Sequence, residues 1–210
     1  MNPVKNTAPR FLHSRLAPLV LGLLLPALLP SLSNAQTTGF NQTAGGTYDY
    51  NDTANWVGGT INGIWDASLT LTGAQTIQFG ADTTLSTALD FECFGSQNIT
   101  LQGTGGAKTI TLGGDITSNI STNKALTIGS NTAANNLNVD LGGVTRTFTS
   151  GSSKNLNFQN VISNGGVTTY GGTVTFYGVN TYTGATTVNS GILYLAGASG
   201  SVADSDVTVN

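Results

Sequence analysis

Residues 171–197 read GGTVTFYGVNTYTGATTVNSGILYLAG and are the most informative stretch for the fold, because they hold one complete repeat and the start of the next. Val174 and Phe176 alternate with polar residues, which is the period of a strand that buries one face. Nineteen residues later, Leu193 and Leu195 occupy the same two positions. Apolar residues that recur in one register predict short coils stacked on one another, as in a solenoid.

A five-residue motif, Asn-Thr-Tyr-Thr-Gly at 180–184, lies between these two strands, with Gly178 before it and Gly191 after it. The whole pattern, Gly-x-Val-x-Phe-x-Gly-x-Asn-Thr-Tyr-Thr-Gly-x-Thr-x-Val-x-x-Gly-x-Leu-x-Leu, resembles the autotransporter-associated β-strand repeat over about one repeat. The resemblance implies a right-handed parallel β-helix on a secreted or surface-exposed bacterial protein. It also implies that the repeat helps the passenger region to fold or be exported and carries no active site.

Upstream, short alternating strands separated by Gly, Asn, Ser and Thr predict further coils and two apolar columns along the solenoid. The first predicted column advances by about 18 or 19 residues and consists of Ile99-x-Leu101, Ile120, Leu137-x-Val139, Leu156-x-Phe158, Val174-x-Phe176 and Leu193-x-Leu195. The second is more loosely spaced and consists of Ile110-x-Leu112, Leu126-x-Ile128, Phe148, Val167, Val188 and Val207. Two columns with one shared period favour a solenoid over an antiparallel sandwich, which need not keep register.

The first 35 residues are typical of a signal peptide. Three basic residues precede an uncharged apolar run at 16–29, which is too short to span a bilayer as a helix. Small residues at 33–35 predict cleavage between Ala35 and Gln36; the alternative is an uncleaved anchor. The expected partners during export are the Sec machinery and signal peptidase. The predicted location is outside the cell or on the outer membrane surface of a bacterium.

Beyond residue 35 the sequence contains no histidine, proline or methionine, and ten acidic residues against four basic ones give a formal charge of −6. Such a charge repels nucleic acid and anionic lipid, so neither is an expected partner. Without histidine, a Ser-His-Asp or Cys-His arrangement and an imidazole metal site are excluded in this part. Thr, Asn, Gly, Val and Ile dominate, which predicts an all-β chain without a transmembrane span.

An aromatic and glycine-rich block at 36–66 differs from the coils predicted at 67–210. Its large rings are Tyr48, Tyr50, Trp56 and Trp65. We interpret the block as an N-terminal cap, because the open end of a β-helix exposes apolar core that bulky rings can cover. The alternative is a platform of exposed rings that binds carbohydrate.

The last predicted coil is incomplete. Residues 207–210 lie nineteen residues after 188–191, so the next strand of the repeat is expected to be missing. Leu193, Leu195 and a row of backbone donors and acceptors are then uncovered, and such an edge pairs readily with another chain. The sequence therefore predicts fraying or end-to-end self-association at this end.

Asparagine is abundant beside the predicted columns, at positions 136, 138, 155, 157, 180 and 189. We expect stacked asparagines to form hydrogen-bonded ladders along the solenoid. The alternative role is glycosylation, since Asn41, Asn51, Asn98 and Asn119 match the acceptor pattern.

Candidate chemistry is sparse. Asp90 and Glu92 share one face of a predicted strand and are the best catalytic candidates. The basic residues that β-helical lyases and glycosidases use in clusters are scattered singly here. Cys93 shares a face with Phe91 and is expected to be a small buried hydrophobic residue. The pairs Asp49 with Asp52 and Asp204 with Asp206 fall short of a calcium shell and are interpreted as solvated turns.

We therefore predict no catalytic, cofactor-binding or metal-binding residues. The predicted function is that of a non-catalytic β-helical passenger or scaffold that aids folding, export or adhesion, with a surface glycan or host-cell ligand as its partner. The alternative is a carbohydrate-binding or carbohydrate-active β-helix.

Overall fold

The computed structural model of the protein describes residues 39–121, 123–202 and 205–210. The predicted signal peptide and its cleavage site lie outside the described residues. The strands are β1 Gly46–Asp49, β2 Ile64–Trp65, β3 Gln75–Phe79, β4 Thr83–Thr84, β5 Leu89–Phe91, β6 Ile99–Gly103, β7 Lys108–Thr111, β8 Ile116–Ser118, β9 Ala125–Ile128, β10 Leu137–Phe158, β11 Ile162–Phe176, β12 Thr186–Val188, β13 Ile192–Leu195 and β14 Val207–Val209. Three short 3-10 turns accompany them at Thr53–Asn55, Val57–Gly59 and Ala133–Asn135.

All of these strands belong to one curled sheet, and every strand pair in it is parallel. Strands that pair lie one coil apart in the chain, and the pairs that are also consecutive in sequence, β9–β10, β10–β11 and β11–β12, all include one of the long strands β10 and β11. The predicted all-β class is therefore confirmed, and the sheet is parallel as the repeat predicted.

The sheet is organised in three columns of stacked strands. The first column contains β1, β3, β6, β9, the ends of β10 and β11, and β13. The second contains β4, β7 and the starts of β10 and β11. The third contains β2, β5, β8, the middles of β10 and β11, β12 and β14. The long strands β10 and β11 pass through all three columns, which joins the columns into one sheet.

Alternation along the strands places apolar side chains of all three columns in one core. In the first column, Ile99 stacks on Leu126, Leu126 on Leu156, and Leu156 on Val174. Each of these four side chains is buried. Large apolar residues at matched positions favour this arrangement, because burial of one such side chain is worth about 1.5–3 kcal/mol.

The predicted register is correct in the C-terminal coils and wrong further upstream. Leu156, Val174 and Leu193 stack on one another as predicted. Ile99, however, pairs with Leu126, which was assigned to the other column. Leu137, assigned to the first column, pairs with Lys108 in the second. The reason is coil length. The stretch of chain between successive first-column strands, which includes the strands of the other columns, is longer from β1 to β10 than from β10 to β13.

Phenylalanines from two columns meet in the C-terminal core. Phe148 of the third column stacks on Phe158 of the first, with ring centroids 4.5 Å apart. Phe176 packs edge-on against Phe158 at 5.6 Å and against Phe148 at 6.5 Å. All three rings are buried. Such aromatic pairs add about 0.5–1.5 kcal/mol to the energy of burial alone.

Glycine is required where one coil passes close to the backbone of the next. Gly171 has φ +89°, and a Cβ placed there lies 1.9 Å from the carbonyl oxygen of Ser150 in the preceding coil. Any side chain at this position forces the two coils apart. Gly105 also has a positive φ of +67°, but a Cβ there has no heavy atom within 4 Å.

Removal of the Phe176 ring is expected to lower the free energy of unfolding by about 3–5 kcal/mol in Phe176→Ala, because it leaves a cavity beside two other phenylalanine rings. Chemical denaturation measures this loss. Thr175 alternates with the inward side chains of Val174 and Phe176, but it is only 4% exposed and is therefore a poor control. Thr187, a half-buried threonine of β12, is the better control, and a comparable loss in Thr187→Ala contradicts the assignment of the core.

The two glycines provide a second test. Gly105→Ala introduces only left-handed backbone strain and is expected to cost about 1–2 kcal/mol. Gly171→Ala adds a collision with the Ser150 carbonyl and is expected to cost more than about 4 kcal/mol. Equal midpoints of thermal unfolding for the two variants would contradict the close approach of the coils.

Candidate functional site

Asn180, the first residue of the Asn-Thr-Tyr-Thr-Gly motif, connects successive coils and is buried. Its Oδ1 accepts a hydrogen bond from the backbone N–H of Ile162 at 2.8 Å. Its Nδ2 donates to the carbonyl oxygen of Ser201, and its own backbone N–H donates to Ser201 Oγ at 3.2 Å. One side chain therefore holds the coil before it and the coil after it. The polar atoms of this side chain are engaged within the protein.

The tyrosine of the same motif is also a core residue. Tyr182 is fully buried, and its hydroxyl shares a hydrogen bond of 2.9 Å with Thr186 Oγ1. Thr186 Oγ1 in turn lies 2.8 Å from Ser205 Oγ of the following coil. Burial raises the pKa of Tyr182, which keeps the phenol protonated. The motif that carries the family resemblance is thus a structural corner and presents no reactive group.

Aspartate and asparagine side chains make similar contacts where strands begin. Asp82, Asn98 and Asp115 each accept a hydrogen bond from a backbone N–H one coil later; the donors are Thr109, Ala125 and Thr147, at 2.8, 3.0 and 2.8 Å. Asn160 Oδ1 accepts from the N–H groups of Ser130 and Leu137 at 3.0 and 2.9 Å.

The expected asparagine ladder is therefore largely replaced by bonds from side chain to backbone. A direct bond between two asparagine side chains joins Asn210 to Asn189. The physical reason is that a backbone N–H at the start of a strand lacks a ladder partner and competes for the amide oxygen.

The aromatic block near the N-terminus forms a buried cluster. Trp56 is 2% exposed, Trp65 0% and Tyr50 4%, so these rings do not form an exposed platform for sugars. Tyr50 stacks on Phe79 and Trp65 on Phe91, with centroids 4.6 and 4.2 Å apart. The cluster thus covers the core rings of the adjoining coils.

The paired carboxylates Asp90 and Glu92 lie on the outer side of the third column. Glu92 is exposed, whereas Asp90 is half-buried, and its Oδ1 has no hydrogen-bond partner in the described part of the chain. Burial of the carboxyl, followed by the charges of Glu92 and Asp66, raises the pKa of Asp90. A raised pKa suits a general acid, but neither described groove contains this pair.

Cys93 is buried, as predicted, and burial raises the pKa of its thiol to about 12. The thiolate is therefore scarce near neutral pH, and the residue is not a nucleophile. Asp49 and Asp52 accept hydrogen bonds from the N–H groups of Asn51 and Ala54, as turn residues do.

Residues 39–121, 123–202 and 205–210 hold neither a metal-binding cluster nor a membrane-spanning helix. No three His, Cys, Asp or Glu side chains in these ranges are placed to hold a metal ion. The same ranges include no helix with the length and apolar character to cross a membrane.

Two shallow grooves lie on the surface of the described sheet. The first, of about 230 Å³, lies on the outer face of the first column and is lined by Thr100, Thr127, Gly129, Ser130, Asn131 and Gln159. The second, of about 280 Å³, lies over a turn region and is lined by Gly143, Val144, Thr145, Asn164, Gly165, Gly166, Thr183 and Gly184. In the second groove Asn164 is already bonded to Asp140, and glycines supply much of the wall. The first groove offers more side-chain hydrogen-bonding groups, and sequence reasoning missed it.

Comparison with known proteins gave no match to a family model, a curated protein or a solved structure.

The half-buried carboxyl of Asp90 makes stability depend on pH. The folded chain holds this proton more tightly than the unfolded chain, so stability falls as pH rises from the unfolded pKa of about 3.9 through the higher folded value. Asp90→Asn is therefore expected to raise the melting temperature at pH 7 and to have little effect below about pH 3. Glu92→Gln, at an exposed carboxyl, is the control and is expected to give a smaller increase. Identical pH profiles for Asp90→Asn and the unsubstituted protein would contradict the assignment.

Proposed function

We propose that this chain is a non-catalytic scaffold of a secreted or surface-exposed bacterial protein, built as a right-handed parallel β-helix like autotransporter passengers. The observation that supports the proposal most is the use of the Asn-Thr-Tyr-Thr-Gly motif as a corner between stacked parallel coils. Because the buried polar atoms of the motif bond within the protein, we assign the motif a structural role.

The order of the columns along the chain supports a helical path. From β11 onward, the chain visits the second, third and first columns in turn, and then returns to the third and first in β12 and β13. A path that returns to the same parallel columns at steps of about 19 residues is what a solenoid requires. Right-handed turning is the expected sense, because nearly all parallel crossover connections are right-handed.

Several features favour a structural role over catalysis. The sequence beyond residue 35 has no histidine. The one thiol is buried and protonated at neutral pH. The two neighbouring carboxylates lie outside both grooves. We infer that the protein presents a surface and does not transform a substrate.

The last two strands support the proposal that copies of this scaffold associate end to end. Five of their apolar residues are exposed: Ile192, Tyr194, Leu195, Val207 and Val209. Within the described residues, β13 pairs only with β11 and β14 only with β12. A strand edge with exposed apolar side chains pairs readily with a second copy.

Export of the protein is the decisive test of this proposal. Expression in a Gram-negative host is expected to deliver the chain beyond the inner membrane, cleaved between Ala35 and Gln36, because the leader has basic, apolar and small-residue regions in order. Cell fractionation and N-terminal sequencing measure this. A variant that lacks residues 2–35 is the control and is expected to remain in the cytoplasm.

Recovery of intact Met1 from the envelope fraction would disprove the cleavage. Retention of the full chain in the cytoplasm would disprove the proposed function as an exported scaffold. Release of reducing sugar from a polysaccharide panel by the purified chain would favour the carbohydrate-active alternative.

A further inference from the structure

The first groove adjoins an outward-facing row of residues. We call this row the glutamine row; it runs across the coils at the end of the first column and consists of Gln102, Gly129, Gln159 and Tyr177. Its register follows from three backbone hydrogen bonds, Gly129 N–H to Leu101 O at 2.8 Å, Gln159 N–H to Ile128 O at 2.8 Å and Tyr177 N–H to Phe158 O at 2.9 Å. Gly129 and Gln159 line the groove, and the position that a Cβ of Gly129 would take is filled by the side-chain amide of Asn160.

The walls of the groove carry uncharged hydrogen-bonding groups. Thr100 and Thr127 are register partners in adjacent coils, and both are half-buried. Their hydroxyls and the Gln159 amide make no side-chain hydrogen bond to another described residue, so they are available to a ligand. Ser130 and Asn131, in the turn after β9, also line the groove; their side-chain oxygens accept hydrogen bonds from Thr132, which leaves the Ser130 O–H and the Asn131 N–H groups as donors. A ligand here meets several donors and acceptors and no charge.

An exposed aromatic face continues the groove. Tyr177 follows Gln159 in the glutamine row and is 38% exposed. Tyr194 stacks above Thr175 on the same face of the sheet and is 57% exposed. Tyr177 and Tyr194 are therefore diagonal neighbours on one sheet face, about 8 Å apart between Cα atoms by the usual strand spacing and rise. Tyrosine combines a rigid apolar ring with a polar tip and suits surfaces that are both apolar and wet.

We propose that the groove and Tyr177 form a binding site for a neutral glycan chain. Sugar hydroxyls match the threonine, serine and amide groups of the groove, and the C–H face of a pyranose ring matches an exposed phenol ring. The groove is smaller than the roughly 300–1,000 Å³ of enclosed ligand sites, so it holds a short part of a longer polymer. The formal charge of −6 beyond residue 35 disfavours an anionic polysaccharide. Glycan binding goes beyond the proposed scaffold role, and the proposed site lies on a different part of the chain from the buried N-terminal aromatic residues.

The test titrates the purified protein with neutral linear hexasaccharides of glucose, mannose, xylose and N-acetylglucosamine, followed by calorimetry. At least one hexasaccharide is expected to bind with a Kd below about 10 mM. Tyr177→Ala and Gln159→Ala are each expected to weaken that binding by about tenfold. Thr127→Arg, which extends a long side chain into the groove, is expected to abolish it.

Tyr170 provides a matched control, because it is a tyrosine of similar exposure, 42%, on the third column. Tyr170→Ala is expected to bind as the unsubstituted protein does. The proposal is overturned if no hexasaccharide binds at about 10 mM, if only an anionic polymer such as polygalacturonate binds, or if Tyr170→Ala loses as much affinity as Tyr177→Ala. Circular dichroism confirms that each variant is folded. Export of the chain is measured separately, so failure of glycan binding leaves the scaffold proposal intact.

Discussion

The parallel backbone ladder places each residue directly beside its counterpart one coil away, about 4.8 Å distant, and the rest of the structure follows from this proximity. A bulky side chain at an inward position must have a compatible neighbour in both adjoining coils, which explains why isoleucine, leucine and valine succeed one another in the first column. The same proximity forbids a side chain where two backbones meet, as at Gly171. It also stacks like residues inside the core, since Ser118 and Ser150 are register partners in the third column and both are fully buried. Local choices in one coil thus constrain the coils on either side.

The sequence predicts this fold well where coil length is constant. Between Leu156 and Leu193 the chain returns to the same column at a nearly constant interval, and the periodicity of apolar residues is sufficient to assign the register. Earlier coils differ in length, so a fixed period assigns Leu137 to the wrong column and places Ile120, which lies outside every strand, in a column. The correct partner of Ile99 is Leu126, which lies further along the chain than the fixed period allows. Apolar alternation identifies strands, but it does not reveal which strands meet when the loops between them vary.

For individual side chains, too, the sequence predicts roles that depend on local alternation and misses roles that depend on contacts between coils. Burial of Cys93 follows from its alternation with Phe91, because that pattern is local. The roles of Asn160 and Asn180 depend on backbone groups in adjoining coils, which composition alone cannot indicate. The aromatic block was ambiguous in sequence, since a tryptophan covers a core and binds a sugar equally well; its tryptophan rings are buried. The groove beside Gln159 had no sequence signal beyond a glycine that also fits a turn.

Side chains that bind backbone N–H groups near the strand starts hold adjoining coils in register, whatever the length of the chain between them. Asp82, Asn98 and Asp115 bind N–H groups in the following coil, and Asn180 binds one in the preceding coil across a shorter stretch of chain, yet all hold adjoining coils in the same three columns. Lengthening a loop carries only a small entropic penalty, because closure entropy grows slowly with loop length. Such a fold accepts insertions at its corners while its interior stays unchanged. Surface diversity can therefore evolve one corner at a time, without any change in the packing that keeps the coils together.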